Sequence, residues 1–150
     1  MFKLTKKMRF ALEAVVDIAY NSRPEPVQSR EITRRQGIPK RYLEQVMQQL
    51  VHANILKGVR GPRGGYTLAR ERRRISVGEI VTVVGEIENA NGEEIETSST
   101  LGAKVIGPLW DTVQDEMMTR LNSITVEDLC RSALEANVSP ESARPTDFNI

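Results

Sequence analysis

Apolar residues recur at helical spacing near the start of the chain. Intervals of three and four residues predict an amphipathic helix from Lys6 to Asn21, and Thr5 is a suitable cap because its hydroxyl can accept a bond from the first turn. Pro24 and Pro26 then mark a loop, since proline cannot continue a helix. The expected apolar face of this helix consists of Leu4, Met8, Leu12, Val15 and Ala19.

Two more helices follow, with a tight turn between them. A short helix is predicted from Arg30 to Gln36, with Ser29 as its cap and Gly37 in the left-handed position that ends it. The next helix opens with Pro39, which is tolerated in a first turn, and runs to about Asn54. The pair predicts a helix-turn-helix. The core face of its second helix is expected to contain Leu43, Val46, Met47 and Leu50.

A hairpin is predicted after the helix pair. Two β-like runs, residues 55–60 and 66–70, flank the turn Gly61-Pro62-Arg63-Gly64-Gly65. A further helix is expected from Val77 to Val84, capped by Ser76. Residues 86–100 contain five glutamates and little to bury, so they predict a flexible loop.

Two helices are predicted near the end of the chain. A long helix begins at about Leu101, or after Pro108, and ends at Asn122, with an apolar residue at every fourth position. Thr125 can cap a short helix from Val126 to about Ala136. The apolar stripe of the long helix consists of Val105, Leu109, Val113, Met117 and Leu121, with Trp110 beside it.

The predicted fold is mostly α with a small β-hairpin wing. We expect a winged helix-turn-helix domain over residues 1–75. A dimerisation or effector region should follow over residues 76–136, with its flexible loop at 86–100 and its long helix at about 101–122. Residues 137–150 are polar and contain two prolines, so they predict a disordered tail.

Charge divides the chain into two unlike halves. The net charge is only +1, but residues 1–75 hold 17 Lys or Arg against 6 Asp or Glu, and residues 76–150 hold 4 against 14. A basic surface releases counterions from a polyanion, and an acidic surface cannot lie against one. The first half is therefore expected to face nucleic acid, although charges on solvated faces are the simpler alternative.

Several classes of protein are disfavoured by the composition. No apolar run approaches the roughly 18 residues of a membrane span, and the start of the chain lacks the layout of a signal peptide. Cys130 is the one cysteine, which excludes an internal disulfide, so we expect a cytoplasmic protein with no membrane partner. With one histidine, His52, and no glycine loop leading into a helix N-terminus, the chain offers no candidate catalytic site and is not expected to be an enzyme.

The exposed face of the second helix of the pair carries side chains that suit base readout in a major groove. Arg41 can bond guanine bidentately, Gln45 can bond adenine, and Glu44 can accept from the amino group of cytosine. At the hairpin tip, Arg60 and Arg63 suit insertion into a narrow minor groove. Phosphate contacts are expected from Ser29, Lys40 and Tyr42, and Gly64 lets the hairpin backbone approach the DNA closely.

The hairpin and the second helix of the pair carry specific sequence motifs. The most specific is Val59-Arg60-Gly61-Pro62-x-Gly64-Gly65-Tyr66-x-Leu68, and Gln36-Gly37-Ile38 and Tyr42-Leu43-Glu44-Gln45 add to it. These segments resemble the redox-response-factor family of bacterial winged-helix transcription regulators, which includes IscR, NsrR and CymR. Ser76-Val77-Gly78-Glu79-Ile80 is similar to the IscR branch. The resemblance covers about residues 1–135.

The resemblance implies a homodimer that reads a palindrome. The stripe from Val105 to Leu121 would become the dimer seam, and the two copies would read two half-sites. The alternative is that the stripe packs only inside its own chain. The base-reading positions of the family fall on Arg41, Tyr42, Glu44 and Gln45, and its minor-groove arginine falls on Arg60.

The chain departs from the family where cluster-bearing members hold iron–sulfur clusters. Those members place three cysteines in the loop before the long helix, and the IscR branch adds a histidine two residues before a Leu-Trp pair. Residues 86–109 contain neither type, and Gly107 and Lys104 stand near the expected histidine and last cysteine. Since a cluster needs thiolates, we expect no cofactor, and no cluster held in the usual way of the family. Cys130 is expected to be a small buried hydrophobe rather than a redox-sensing thiol, and His52 a surface residue.

Two functions remain open from the sequence. The first is a sequence-specific DNA-binding transcription regulator, expected to be a repressor, with double-stranded DNA, a second copy of itself and an unidentified effector as partners. The alternative is a protein-interaction module that binds a partner enzyme through the acidic C-terminal half. The presence of Arg41, Gln45, Arg60 and Arg63 favours the first.

Overall fold

Three helices open the fold. The computed structural model describes residues 4–21, 23–89 and 99–140. Helix α1 spans Lys6–Tyr20, α2 spans Ser29–Gln36 and α3 spans Lys40–His52. As predicted, α1 is capped by Thr5, whose Oγ1 accepts a hydrogen bond from the backbone N–H of Met8 at 3.2 Å.

The turn between α2 and α3 has the predicted geometry. Gly37 adopts φ 67° and ψ 24°, a left-handed conformation that favours glycine, and its N–H bonds to the carbonyl of Thr33 at 2.9 Å. The predicted cap of α2 was wrong, because Ser29 is already the first helical residue. Gln28 occupies the cap position instead, and its N–H donates to the carboxylate of Glu31 at 2.8 Å.

The predicted hairpin is present and is tied to the helix pair. Strand β1, Leu56–Val59, pairs antiparallel with β2, Gly65–Leu68, with Val59 opposite Gly65. Val27, before α2, extends this ladder through two backbone bonds with Tyr66, of 2.9 and 2.8 Å. The wing, defined here as residues 56–68, is therefore anchored to the segment that leads into the helix-turn-helix.

Three more α-helices follow the wing in the described residues up to 140. A 3₁₀ turn at Arg72–Arg74 leads to α4, Val77–Asn89, and the predicted cap Ser76 accepts the N–H of Glu79 at 3.0 Å. Helix α5 spans Gly107–Asn122 and α6 spans Val126–Glu135. The cap predicted for α6 is confirmed, since the Thr125 hydroxyl accepts from the N–H of Asp128 at 3.1 Å. None of the helices in the described part of the chain is long and apolar enough to span a membrane.

The loop predicted at residues 86–100 was placed too broadly. Residues 86–89 continue α4, because Gly85 stays helical and does not adopt the left-handed conformation that would end the helix after Val84. Residues 99 and 100 already belong to the next helical segment, where the Ser99 hydroxyl accepts the N–H of Gly102 at 2.9 Å. The rest of the predicted loop, residues 90–98, lies outside the described residues.

The long helix contains one wide turn. Residues 100–122 are helical throughout, but Gly102–Ile106 form a π-helical turn in which the N–H of Gly107 bonds to the carbonyl of Gly102. Pro108 explains this turn, because its ring would collide with the carbonyl of Lys104 in a regular α-helix. The wider turn lets the helix continue past the proline.

The core lies among the helices around α1, which packs against α2, α3, α4, α6 and β2. The predicted core face of α3 is confirmed, as all four of its residues are buried. The predicted face of α1 was partly wrong: Leu4 is 54% exposed, and Met8 and Leu12 are half-buried. Neighbours contact α1 on several sides, so its buried residues form a broader band that contains Ala11, Ala14, Val15, Asp17, Ile18 and Ala19.

The first residues of the predicted disordered tail are placed against the fold. Residues 137–140 follow α6 and touch α1, where the Tyr20 hydroxyl donates to the carbonyl of Val138. This contact fixes the segment, which the polar composition did not reveal. Residues 141–150, the remainder of the predicted tail, lie outside the described residues.

Candidate nucleic-acid interface

Helix α3 has an apolar side that is fully buried and a polar side that is exposed. Leu43, Val46 and Leu50 are completely buried and fix the rotation of the helix against α1. The opposite side is open to solvent and presents positive, negative and amide groups together, which is the chemistry that reads base edges in a major groove. Its exposed polar residues are Lys40, Arg41, Glu44, Gln45 and Gln48.

The start of α3 is held by aromatic contacts. The Tyr42 ring is half-buried and lies 5.8 Å from the Phe10 ring of α1, centroid to centroid. The guanidinium carbon of Arg41 lies 5.4 Å from the Tyr42 centroid, within the range of a cation–π contact. Lys40 and Glu44, one turn apart, approach to 4.0 Å. The first turn of α3 is thus anchored by Tyr42, while its charged side chains stay exposed.

The wing presents two arginines beyond its paired strands. Arg60 and Arg63 are both exposed at the tip. Gly64 closes the turn by donating its N–H to the carbonyl of Gly61 at 2.9 Å. A Cβ atom at Gly64 would collide with the carbonyl oxygen of Val59, so glycine is required there by the turn itself. Its predicted role in letting DNA approach remains a separate prediction.

A cleft separates the wing from the N-terminus of α2. It has a volume of about 420 Å³, and Ser29 from α2 and Arg60 from the wing lie on its walls together with the glycines of the tip. A helix N-terminus carries free N–H groups and partial positive charge, so it favours anions. Ser29 and Arg60 therefore place a hydroxyl and a positive charge at the cleft, while the carboxylate of Glu31 already accepts the N–H of Gln28 at this helix end.

Comparison with known proteins identifies the family. The sequence profile of the Rrf2 family, described as an iron-dependent transcriptional regulator, matches residues 4–132. The chain belongs to the Rrf2 family. It is 36% identical over 149 residues to the HTH-type transcriptional regulator IscR of Cronobacter sakazakii, and the match covers 96% of this chain and 92% of that protein.

Solved structures of Rrf2 regulators share the fold. T. potens IscR superposes with a TM-score of 0.74 at 32% identity, covering 94% of this chain and 95% of that one. CymR, the global cysteine regulator of B. subtilis, gives 0.71 at 27% identity, covering 88% and 98%. The predicted resemblance and winged-helix fold are confirmed. The relatives are regulators and not enzymes, so this Rrf2 chain is a DNA-binding transcriptional regulator.

A buried ion pair of this Rrf2 chain joins α1 to α2. The side chain of Asp17 is fully buried, and Arg35 donates to its two oxygens at 2.7 and 2.8 Å. The side-chain amide of Gln36 adds a third bond at 2.8 Å. A buried carboxylate is tolerated only when it is paired in this way. The sequence-based reasoning missed this pair, although an aspartate among apolar residues of α1 was a usable signal.

A second ion pair supports the start of α2. Arg23 bonds the carboxylate of Glu31 at 2.7 Å, and Arg35 approaches it to 4.0 Å. Partial burial pushes the pKa of Glu31 upward, but the N–H of Gln28 and the two guanidinium groups outweigh it, so the pKa is lowered from its ordinary 4.5. The helix whose N-terminus faces the cleft is therefore held by charge at both of its ends.

The apolar stripe on α5 is open to solvent in the single chain. None of the sixteen residues of α5 is buried. Leu109 is 56% exposed and Val105, just before α5, is 53% exposed, while Val113, Met117 and Leu121 are half-buried. Leu101 is 64% exposed at the start of the same helical segment. This surface is more apolar than a helix in water normally retains.

Cys130 and His52 lie in different parts of the fold. Cys130 on α6 is 5% exposed and belongs to the core, and burial raises the pKa of its thiol despite the nearby guanidinium of Arg72. His52 is exposed at the C-terminal end of α3. The structure thus places Cys130 as the buried hydrophobe that was expected and His52 at the surface.

Proposed function

We propose that the protein is a sequence-specific repressor that binds a palindromic operator as a homodimer. The observation that carries this proposal is the pairing of a rigidly packed α3, with its exposed polar side, and a wing whose tip presents Arg60 and Arg63. In winged helix-turn-helix proteins, a helix of this kind enters the major groove while the hairpin reaches the neighbouring groove.

Each exposed side chain has a defined chemical task in this proposal. Arg41 bonds the two acceptors of guanine, Gln45 bonds adenine, and Glu44 accepts from cytosine. Arg60 and Arg63 enter the minor groove, where negative potential is strongest at narrow sites. Ser29 at the cleft, Lys40 and Tyr42 bond phosphates, which sets the register and supplies salt-dependent affinity.

The exposed stripe supports a homodimer. Burying Leu101, Val105 and Leu109 against the same residues of a second copy would remove apolar area from water at about 25 cal/mol per Å². A closed twofold contact uses one patch twice, so each α5 would cross its twin. The two copies of α3 would then face half-sites about one helical turn, roughly 34–36 Å, apart.

We further propose that the protein does not hold an iron–sulfur cluster in the usual way of the family. No group of three or more His, Cys, Asp or Glu side chains in the described part of the chain is placed to hold a metal. Cys130 is buried with a raised pKa, which favours the protonated thiol over the thiolate that binds iron. The available donors therefore do not fit such a cluster.

The cluster proposal is tested by the absorbance of anaerobically purified protein. We expect no visible bands and no stoichiometric iron or sulfide. Stoichiometric cluster bands would contradict it. A Cys130→Ser variant that kept those bands would further show that other ligands hold the cluster.

The DNA proposal is tested by selecting genomic fragments with the purified protein at physiological salt. Enrichment of one palindrome, bound with a steep decrease in affinity as salt is added, is the expected result. An Arg41→Ala, Gln45→Ala variant should lose the enrichment while remaining folded and dimeric. Failure of the parent protein to enrich any sequence would contradict specific recognition by this form of the protein. Capture of a partner enzyme under the same conditions would favour the interaction-module alternative.

A further inference from the structure

Arg70 lies two residues after β2, at the base of the wing, and its side chain bonds three separate segments. Its Nε donates to the carbonyl of Asn54, between α3 and β1, at 3.1 Å. Nη1 reaches the carbonyl of Arg74 in the 3₁₀ turn at 3.4 Å. Nη2 reaches the carboxylate of Glu79 on α4 at 2.5 Å. The planar guanidinium therefore fixes the wing base relative to its neighbours in several directions.

The position of the wing base controls the position of the tip. Each strand has four residues, so the tip lies about 13 Å from the base at roughly 3.3 Å per residue. A small tilt at the base moves Arg60 and Arg63 by ångströms, which is enough to change the base pairs they meet. A two-stranded hairpin is too weak to hold its own orientation, so it relies on contacts with the rest of the domain.

Glu79 is a fixed anchor because the first turn of α4 is packed closely. A Cβ atom at the preceding residue, Gly78, would collide with the side chain of Asn122 at the end of α5. The backbone N–H of Val77 also bonds the carbonyl of Ile124 at 2.8 Å. The turn that presents the Glu79 carboxylate is therefore held against the end of the α5 helix.

We propose that Arg70 is a positioning residue for the wing, and that its ion pair with Glu79 sets where the tip arginines meet the minor groove. The inference rests on the proposed function, in which the wing reads DNA. Arg70 and Glu79 lie at the base, behind the tip, so they act on recognition through Arg60 and Arg63.

Electrostatics and positioning predict opposite results for one variant. Glu79→Gln removes a negative charge from a DNA-binding domain, so a purely electrostatic effect would tighten binding to every sequence. If the pair positions the wing, the same variant should lose discrimination between the selected operator and one altered only at the wing-facing base pairs. We expect that discrimination to decrease about fivefold. Loss of one base-reading contact would decrease it somewhat more, by about tenfold.

Two further variants, Arg70→Ala and its matched control Arg73→Ala, test the same proposal. Arg73→Ala removes the same charge from the adjacent turn. Arg73 pairs at 2.5 Å with Glu71, two residues away, and among the described residues its ion pair joins no second element. Arg70→Ala should reproduce the loss of discrimination, and Arg73→Ala should weaken binding to all sequences equally. Equal, sequence-independent losses in both arginine variants, or tighter binding with intact discrimination in Glu79→Gln, would overturn the proposal.

Hydrogen exchange of the wing amides tests, without DNA, whether the Arg70–Glu79 pair holds the wing base. Residues 57–68 should exchange several-fold faster in Glu79→Gln and Arg70→Ala than in the parent or in Arg73→Ala, at unchanged global stability. Unchanged exchange would overturn the positioning role. If the parent protein selects no DNA sequence while the exchange difference is present, the proposed function is wrong, but the Arg70–Glu79 pair still holds the wing base. Because Glu79→Gln is nearly isosteric, it keeps the test valid if Arg70→Ala fails to fold.

Discussion

Helix α3 and helix α5 are both amphipathic, but their apolar residues differ in burial within the single chain. In α3 the apolar side is completely buried, and the polar side carries the charges that suit DNA. In α5 no residue is buried, and the side chains of Leu109 and Trp110 are exposed to water. The first arrangement completes a fold within one chain. The second leaves a surface that a second copy is proposed to cover.

The two halves of the chain that contain α3 and α5 also differ in charge. The basic residues concentrate in the first 75 positions, while the acidic half contains α5 and α6. Acidic helices repel the DNA backbone, so the basic winged-helix half is the part that can approach it. The proposed function therefore assigns the basic half to DNA and the exposed apolar stripe of the acidic half to a second copy.

The largest expected effect is on the stability of the winged-helix half. Leu50→Ala removes a fully buried side chain of α3 and should lower the free energy of unfolding by about 2–5 kcal/mol. The neighbouring Val51 is 37% exposed, so Val51→Ala should cost under about 0.5 kcal/mol. Urea denaturation followed by circular dichroism measures both. Equal losses in the two variants would show that the core of α3 is not where the structure puts it.

A negative charge in the apolar stripe of α5 should disrupt the proposed dimer without unfolding the chain. Leu109→Asp should leave the winged-helix half folded, dissociate the dimer and weaken binding to a palindrome about a hundredfold by removing the linked second site. Binding to a single half-site should not change. Thr119→Asp adds the same charge to an exposed position outside the stripe and should remain dimeric. Sedimentation equilibrium and fluorescence anisotropy test this, and a dimeric Leu109→Asp would place the interface elsewhere.

Arg60→Ala should affect recognition without affecting folding or assembly. Affinity should decrease about tenfold, and the preference for bases near the minor groove should change. Lys57, exposed on β1, provides the control: Lys57→Ala should weaken all sequences alike. A loss with Arg60→Ala that is the same for every sequence would leave only a phosphate contact. Anisotropy titrations with the selected and altered operators distinguish the two.

The smallest expected effect concerns pH and the ion pairs of α2. The pKa of Glu31 is lowered in the folded state, so ionised Glu31 stabilises the fold above its ordinary value of 4.5. That stabilisation is lost as the pH decreases through the folded-state pKa. Glu31→Gln should therefore cost about 1 kcal/mol or less at neutral pH, and the difference from the parent should shrink by pH 3. A difference that is independent of pH would contradict the assigned role of the ion pair.

Local signals in the sequence predicted much of the fold. Thr5, Gly37, Ser76 and Thr125 each mark a helix end through their own backbone chemistry, and all four do so in the structure. The glycine-rich turn likewise predicted the hairpin, since a short turn dictates its own pairing. The side of α3 that faces solvent also followed from periodicity alone.

Features that depend on distant partners were not predictable in the same way. The Asp17–Arg35 pair joins residues eighteen positions apart on two helices, so the local pattern marks Asp17 as unusual but does not reveal its partner. The apolar face of α1 was misplaced because neighbours contact that helix on several sides. For the proposed DNA-binding surface, the residues named from the sequence stay a prediction, whereas the cleft beside α2 and the contacts of Arg70 required the packed structure.

Pro108 has a geometrical consequence for the apolar stripe. A π turn contains one residue more than the α-helix around it, which corresponds to a rotation of about 100°. In a regular α-helix, residues eight positions apart, such as Leu101 and Leu109, would point about 80° apart. The extra residue removes about 100° from that difference, so the two side chains lie within about 20° of each other around the helix axis. The wide turn before Pro108 therefore brings the apolar residues that precede it into line with those that follow, and the stripe presents one surface to a partner.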